Sequence, residues 1–270
     1  MWARVWALGA SLRQLSPFDR RLLLEHRAGE AALLVKIAAS LAFVAGAVNA
    51  GGFLMVHFYT SHLTGTISKV ADGVALGDFQ SVRDGLCIVL VFMLGAMSTT
   101  FFVAFGRRQR FKGKYAFSLA VEALFLILFG LSSAALARDP RLIFPEALLL
   151  SLIMGMHNAI FTKISHAVVR TTHMTGNVTD FGIELARLLY HNHSQDRRLA
   201  PVLANRFKLK LHALLVASFL FGGISGAFAF QRFGFLAALP LAAFLLLLSF
   251  PALLLDLRAR LRLWRLARPS

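Results

Sequence analysis

Apolar residues gather into six runs along the chain, at about 33–50, 85–105, 115–136, 144–162, 211–230 and 235–255. A hydrocarbon core of about 30 Å takes roughly 20 mostly apolar residues per helical crossing, so these runs predict membrane-spanning helices. Two intervening segments have a different pattern. Residues 60–77 hold Thr60, Ser61, His62, Thr64, Thr66, Ser68, Lys69 and Asp72, too many polar groups for a lipid-facing helix. They still carry a helical stripe, with Leu63, Ile67, Val70 and Val74 on one face and Thr64, Ser68 and Asp72 on another. The later segment repeats it, with Met174, Val178, Phe181 and Leu185 against Thr175 and Thr179. Each holds about 14 helical residues, reaching only about 21 Å. The pattern predicts half-helices packed inside the protein rather than full crossings.

The repetition goes further. TSHLTGT at 60–66 returns as TTHMTGN at 171–177, GAVNA at 46–50 as GMHNA at 155–159, and His57 as His166. The apolar runs 85–105 and 115–136 have counterparts in 211–230 and 235–255. The chain thus divides into an N-terminal amphipathic segment 1–30, a membrane repeat 31–137, a second repeat 138–257 and a basic tail 258–270. Residues 17–30 predict a short surface helix leading into the first span.

Charge decides how the repeats are oriented. A net charge of +16 could point to nucleic acid, but the basic residues cluster at the ends of apolar runs rather than on one face of a folded domain. With a cytoplasmic N-terminus and half-helices that do not cross, the segments 1–30, 107–114, 187–210 and 258–268 lie in the cytoplasm and hold 21 Lys and Arg. The external loops then hold only Arg83, Arg138, Arg141 and Arg232. Full crossings by the half-helices would put the five positive charges of 107–114 outside, against the positive-inside rule. Three crossings per repeat is an odd number, so the second repeat is inverted relative to the first. The expected fold is an all-α polytopic membrane protein with two inverted-topology repeats, six transmembrane helices and two re-entrant half-helices. Both termini are expected in the cytoplasm.

Composition agrees, with 57% hydrophobic and 16% charged residues and a mean hydropathy of +0.67. A soluble domain holds about 45–50% apolar and about 25% charged residues. The single cysteine, Cys87, excludes an internal disulfide. The early residues carry arginines and no secretory cleavage pattern.

In an inverted repeat the two half-helices enter from opposite faces and meet near the midplane. Thr64 and Thr175 are the expected N-caps, with Gly65 and Gly176 allowing close backbone approach. Open N–H groups and the positive ends of the helix dipoles then face an anionic or polar small solute. His62 and His173 form a symmetric pair that either contacts the solute or holds each loop by bonding a carbonyl. For His57, His157 and His166 a structural role is favoured. Asn49 and Asn158 bond the loops or face the solute. Glu122, a carboxylate inside an apolar run, is the proton-coupling candidate, while Glu146 lies close to a helix start. Asp180 and Glu184, with Lys69 and Asp72, are candidates for pairs along the half-helices. Gly222 and Gly226 read as helix packing. No metal or cofactor is expected.

NAGGFL, YTSHLTG and NAIFTKISHAVVRTTHMTGNVTDFGIELARLL together resemble the YoaK-like family of bacterial integral membrane proteins, a family defined by a domain of unknown function. The resemblance covers about residues 33–257 and implies a multi-pass bacterial inner-membrane protein, without substrate or catalytic residues. Small residues are usual in that family where His57 and His166 stand here. The expected function is a small-solute transporter or channel. The expected partners are lipid and an unidentified solute, with no nucleic acid and with self-association open. A structural or regulatory membrane subunit is the alternative. An intramembrane enzyme is disfavoured, because both copies carry the same groups and no catalytic motif is present.

Overall fold

The computed structural model describes residues 17–111, 113–132, 139–164, 172–191 and 201–266. His166, Arg138, the first 16 residues and residues 192–200 of the basic segment 187–210 lie outside the described residues. The chain forms two compact units, Met1–Ala38 and Ala39–Ser270. Helix α1, Pro17–Val56, runs without a break from residues 17–30 into the first apolar run. The packing that matters for function lies in the second unit.

Every regular element among the described residues is helical. After α1 come α2 (Leu63–Leu76), α3 (Phe79–Arg108) and α4 (Ala116–Leu131). The second half follows the same order, with α5 (Ile143–Ile164), α6 (Met174–Leu189), α7 (Arg206–Phe233) and α8 (Ala238–Leu266). Four stretches are long and apolar enough to cross a bilayer: Ala32–Val56, Phe79–Arg108, Ile143–Ile164 and Arg206–Leu261. The last contains both α7 and α8, joined by the 3-10 turn Gly234–Ala237, where Gly234 takes a φ of 59°. Ala116–Leu131 is a shorter apolar helix. Outward-facing Leu90, Met93, Phe101, Phe221 and Phe228 are exposed along α3 and α7. An apolar exterior of this extent gives a membrane-like, all-helical fold.

Local chemistry explains where the helices start. The Asp78 carboxylate accepts from the Ser81 N–H at 3.1 Å and caps α3. The Asn205 amide oxygen accepts from Phe207 N and Lys208 N, both at 3.1 Å, and caps α7. The two caps stand at corresponding places in the two halves and satisfy first-turn N–H groups that a helix cannot bond itself. Helix α2 ends at Gly77, whose φ of 71° lets Asp78 N reach Gly73 O at 2.8 Å.

Two backbone crossings tie the halves together. On the α3/α5 crossing, a Cβ on Gly95 would collide with the Leu152 carbonyl, and one on Gly155 with the Phe92 carbonyl. On the α1/α7 crossing, Gly46 meets the Phe219 carbonyl, Gly222 the Phe43 carbonyl and Gly226 the Ala47 backbone. Small residues of this kind let helix backbones touch where lipid supplies no hydrophobic drive. The first helix of each half therefore crosses the third helix of the other. Helix α4 packs on α8 and α5.

The half-helices depart from expectation. Among the described residues, α2 packs chiefly on α3 and α6 chiefly on α7, and most of each helix is exposed rather than packed inside the protein. Only Gly73 of α2 and Asn177 and Glu184 of α6 are buried. Part of the apolar stripe is turned outward, with Ile67 56% and Val74 62% exposed, while Val70 packs against Gly85 of α3. The reason is shape. Gly73 meets Val82, and Gly85 of α3 meets Val70 and Thr66, so the helices approach closely along these glycines and Ile67 and Val74 are left outside.

Candidate functional site

The conserved register between the two motif copies has a structural counterpart at the ends of α1 and α5. Ser61 donates its hydroxyl to Asn49 Oδ1 at 2.6 Å. In the other half, the Thr172 hydroxyl donates to Asn158 Oδ1. Each asparagine thus leaves the end of an apolar helix and holds the loop that leads into the half-helix. Thr162 adds a hydroxyl bond to the Asn158 carbonyl at 2.7 Å.

Helices α2 and α6 begin two residues earlier than the sequence pattern suggests. Their N-caps are His62 and His173, not Thr64 and Thr175, which sit inside the first turn. Neither imidazole bonds a cap N–H. Thr66 N and Asn177 N donate to the carbonyl of the cap histidine at 3.1 Å, the first ordinary bond of each helix. The imidazoles fold over the glycines instead. A Cβ on Gly65 would lie 2.5 Å from His62 Cδ2, and one on Gly176 would lie 2.5 Å from His173 Nδ1. The glycines are required because the ring occupies the space a side chain would take.

Both copies border one cavity of about 910 Å³. Its wall includes Asn49, His62 and Thr64 from the first half and Asn158, His173 and Thr175 from the second. Six of the eight residues expected to bind solute are therefore together, and Gly65 and Gly176 support the two rings. Sequence reasoning passed over Lys163, Tyr59 and Thr100, which also line the cavity. Lys163 lies just beyond the motif-bearing run GMHNAIF, in the last turn of the candidate membrane span Ile143–Ile164, and a charge there could have singled it out. Lys163 is the one Lys or Arg among the described lining residues, and no carboxylate is among them. A smaller cavity of about 340 Å³ adjoins Tyr59 and His62 and is lined by His57, Lys69 and Asp84 as well. His57 ends α1 with a φ of 59°, a left-handed turn that reverses the chain.

Glu122 lies elsewhere. It is 1% exposed and its Oε1 sits 2.7 Å from Nδ1 of His157, which is equally buried. The other His157 nitrogen, Nε2, donates to the Leu41 carbonyl at 3.0 Å. Of the charged residues expected to pair along α2 and α6, Glu184 does so with Arg187, three residues further along α6. Glu184 accepts from Arg187 at 2.8 Å and from Asn205 N at 2.7 Å. Asp180 approaches His212 of α7 at 3.8 Å, and Lys69 lies over the Phe58 ring. Glu146 falls in the first turn of α5.

The family model of DUF1275, a protein of unknown function, matches residues 37–250 of the chain. No curated protein gives a match, and no solved structure does.

Proposed function

The chain belongs to the DUF1275 family, whose function is unknown, and from that premise we propose that it is a membrane transporter or channel for a small polar or anionic solute. The observation that carries this reading is the cavity of about 910 Å³ bordered by both motif copies, with Lys163 on its wall and no carboxylate among the described lining residues. A cavity whose described lining carries a lysine and no carboxylate, next to the starts of two helices, favours negative charge and hydrogen-bond acceptors. Pockets that hold small molecules run to about 300–1,000 Å³.

In this reading the two halves are inverted repeats, and α2 and α6 are re-entrant half-helices whose first turns meet near the midplane. Support comes from the crossing of each half's first helix with the other's third, and from 21 Lys and Arg on one side against four on the other. Six apolar helices would then cross a bacterial inner membrane with both termini in the cytoplasm. Lys163 attracts the solute, His62 and His173 orient it, and the Asn–hydroxyl bonds keep the loops in register.

The test is stopped-flow volume relaxation of liposomes holding the purified chain, with urea, glycerol, nitrate and formate as probes. At least one probe is expected to move faster than in protein-free liposomes. Lys163→Met should slow an anionic probe about tenfold, the effect of losing about 1.4 kcal/mol of attraction. His62→Ala and His173→Ala should slow it similarly. Rates equal to protein-free liposomes for all four probes would count against transport. They would favour a structural subunit in which the Asn49–Ser61 and Asn158–Thr172 bonds only hold the loops.

A further inference from the structure

We propose that Glu122 and His157 form a proton-binding site, and that its occupancy controls access to the cavity, making movement of the solute proton-coupled; the coupling rests on the transport reading above. Both side chains are 1% exposed, and they bond each other at 2.7 Å across α4 and α5. The Leu41 carbonyl can only accept, so Nε2 of His157 must carry a hydrogen. That leaves Nδ1 and Glu122 Oε1 to share one proton between them. The second carboxylate oxygen, Oε2, is buried with no hydrogen-bond partner among the described residues. A buried acceptor without a partner is costly, and protonation removes much of that cost.

The step is a proton transfer alone. A proton from water forms an O–H bond at Oε2, converting the carboxylate to a carboxylic acid while Nδ1–H of the imidazolium donates to Oε1. The site then carries one more positive charge, and release of the proton to water reverses it. The surroundings single out this pair. Residues 39–56 of α1 and the rest of α4 hold no charged side chain. On α5 the other charges are Glu146 and Lys163, 11 residues before and 6 residues after His157. Charges on α3 lie near its ends, at Arg83, Asp84, Arg107 and Arg108, and those of α8 begin at Asp256. The nearby polar groups are the hydroxyls of Thr99 and Ser118, where Thr99 bonds the Met156 carbonyl at 3.2 Å.

The link to the cavity is covalent. His157 adjoins Asn158, whose amide oxygen holds the Thr172 hydroxyl at the cavity loop. A charge change on the Glu122–His157 pair shifts the helix segment that carries this lock, because a packed interior transmits small displacements.

Two readouts on the full chain in lipid nanodiscs test the proposal, and neither needs solute flux. Infrared difference spectra from about pH 5 to about pH 9, the range in which histidine and buried carboxyls titrate, report protonated carboxyl groups. In parallel, maleimide labelling of Ala96→Cys, a cavity-lining position, is followed in a Cys87→Ser background. A carboxyl band that titrates in the native chain and is absent from Glu122→Gln is expected. The labelling rate should change about tenfold over the same interval, as for two coupled sites, and lose that pH dependence in Glu122→Gln. His157→Gln, which keeps the carboxyl, should move the titration of the band, and serves if Glu122→Gln does not fold. A band that is absent or constant in the native chain overturns the proposal. So does labelling that ignores pH, or that keeps its pH dependence in Glu122→Gln. Failure of transport in liposomes would overturn only the functional reading, leaving the titration of the pair standing.

Discussion

The hairpins α2–α3 and α6–α7 carry the same motif but are held by different forces. The first is zipped by small apolar contacts, Gly73 on Val82 and Gly85 on Val70. In the second, His212 occupies the place of Gly85, and its Nδ1 donates to the Asn177 amide oxygen at 3.1 Å. Glu184 adds bonds to Arg187 and to the first residues leading into α7. Even the helix caps differ in kind, Asp78 against Asn205. Duplicated sequence thus fixes the shape of both hairpins, while the attachments are free to diverge between van der Waals contact and hydrogen bonds.

The comparison can be broken or sharpened by substitution. The largest effect is expected where the halves are alike. Gly155→Val and Gly46→Val should each cost more than about 4 kcal/mol, because a side chain there strikes the backbone of the crossing helix. Both should abolish recovery of folded protein from detergent extraction, and tolerance of one would break the equivalence of the crossings. Next comes Glu184→Ala, which should cost about 2 kcal/mol, since it strips a buried acceptor from a backbone N–H while Arg187 stays half in solvent. Thermal unfolding in detergent measures that loss, and an unchanged midpoint would remove the polar zipper from the account. His212→Leu should cost about 1 kcal/mol and make the second hairpin resemble the first. Hydrogen exchange confined to α6 and α7 is its expected signature.

The smallest effect concerns acid. Asp78 is held below the usual carboxylate range, chiefly by its bond from Ser81. Its cap contributes fully above the ordinary Asp value near 3.9, and the contribution falls away as pH drops through the lower folded value. Asn205 has no proton to gain. Amide exchange in the first turn of α3 should therefore quicken in acid while the first turn of α7 holds, and equal responses would deny the caps their different chemistry.

How far was this legible beforehand? The internal repeat and the apolar runs came from periodicity, which fixes which residues share a helix face. That brought Asn49, Asn158, His62 and His173 to one cavity through their repeated spacing. The cap positions were missed because Ser, Thr and Asn caps are recognised by side-chain bonds, and here neither cap side chain bonds a first-turn N–H. The Glu122–His157 pair joins residues 35 apart on two helices, and no single-sequence pattern states which helices touch. The exposure of the half-helices was misjudged for a related reason. Polarity and shortness pointed to segments packed inside the protein, while the glycine contacts Gly73–Val82 and Gly85–Val70 decided the packing.

The glycine crossings also set the mechanics of the molecule. At Gly95, Gly155, Gly46 and Gly222 the contact runs from backbone to carbonyl, with no rotamer in between to yield. Two such points make a fulcrum. Any motion of one half against the other therefore pivots at those points, because no side chain there can give way.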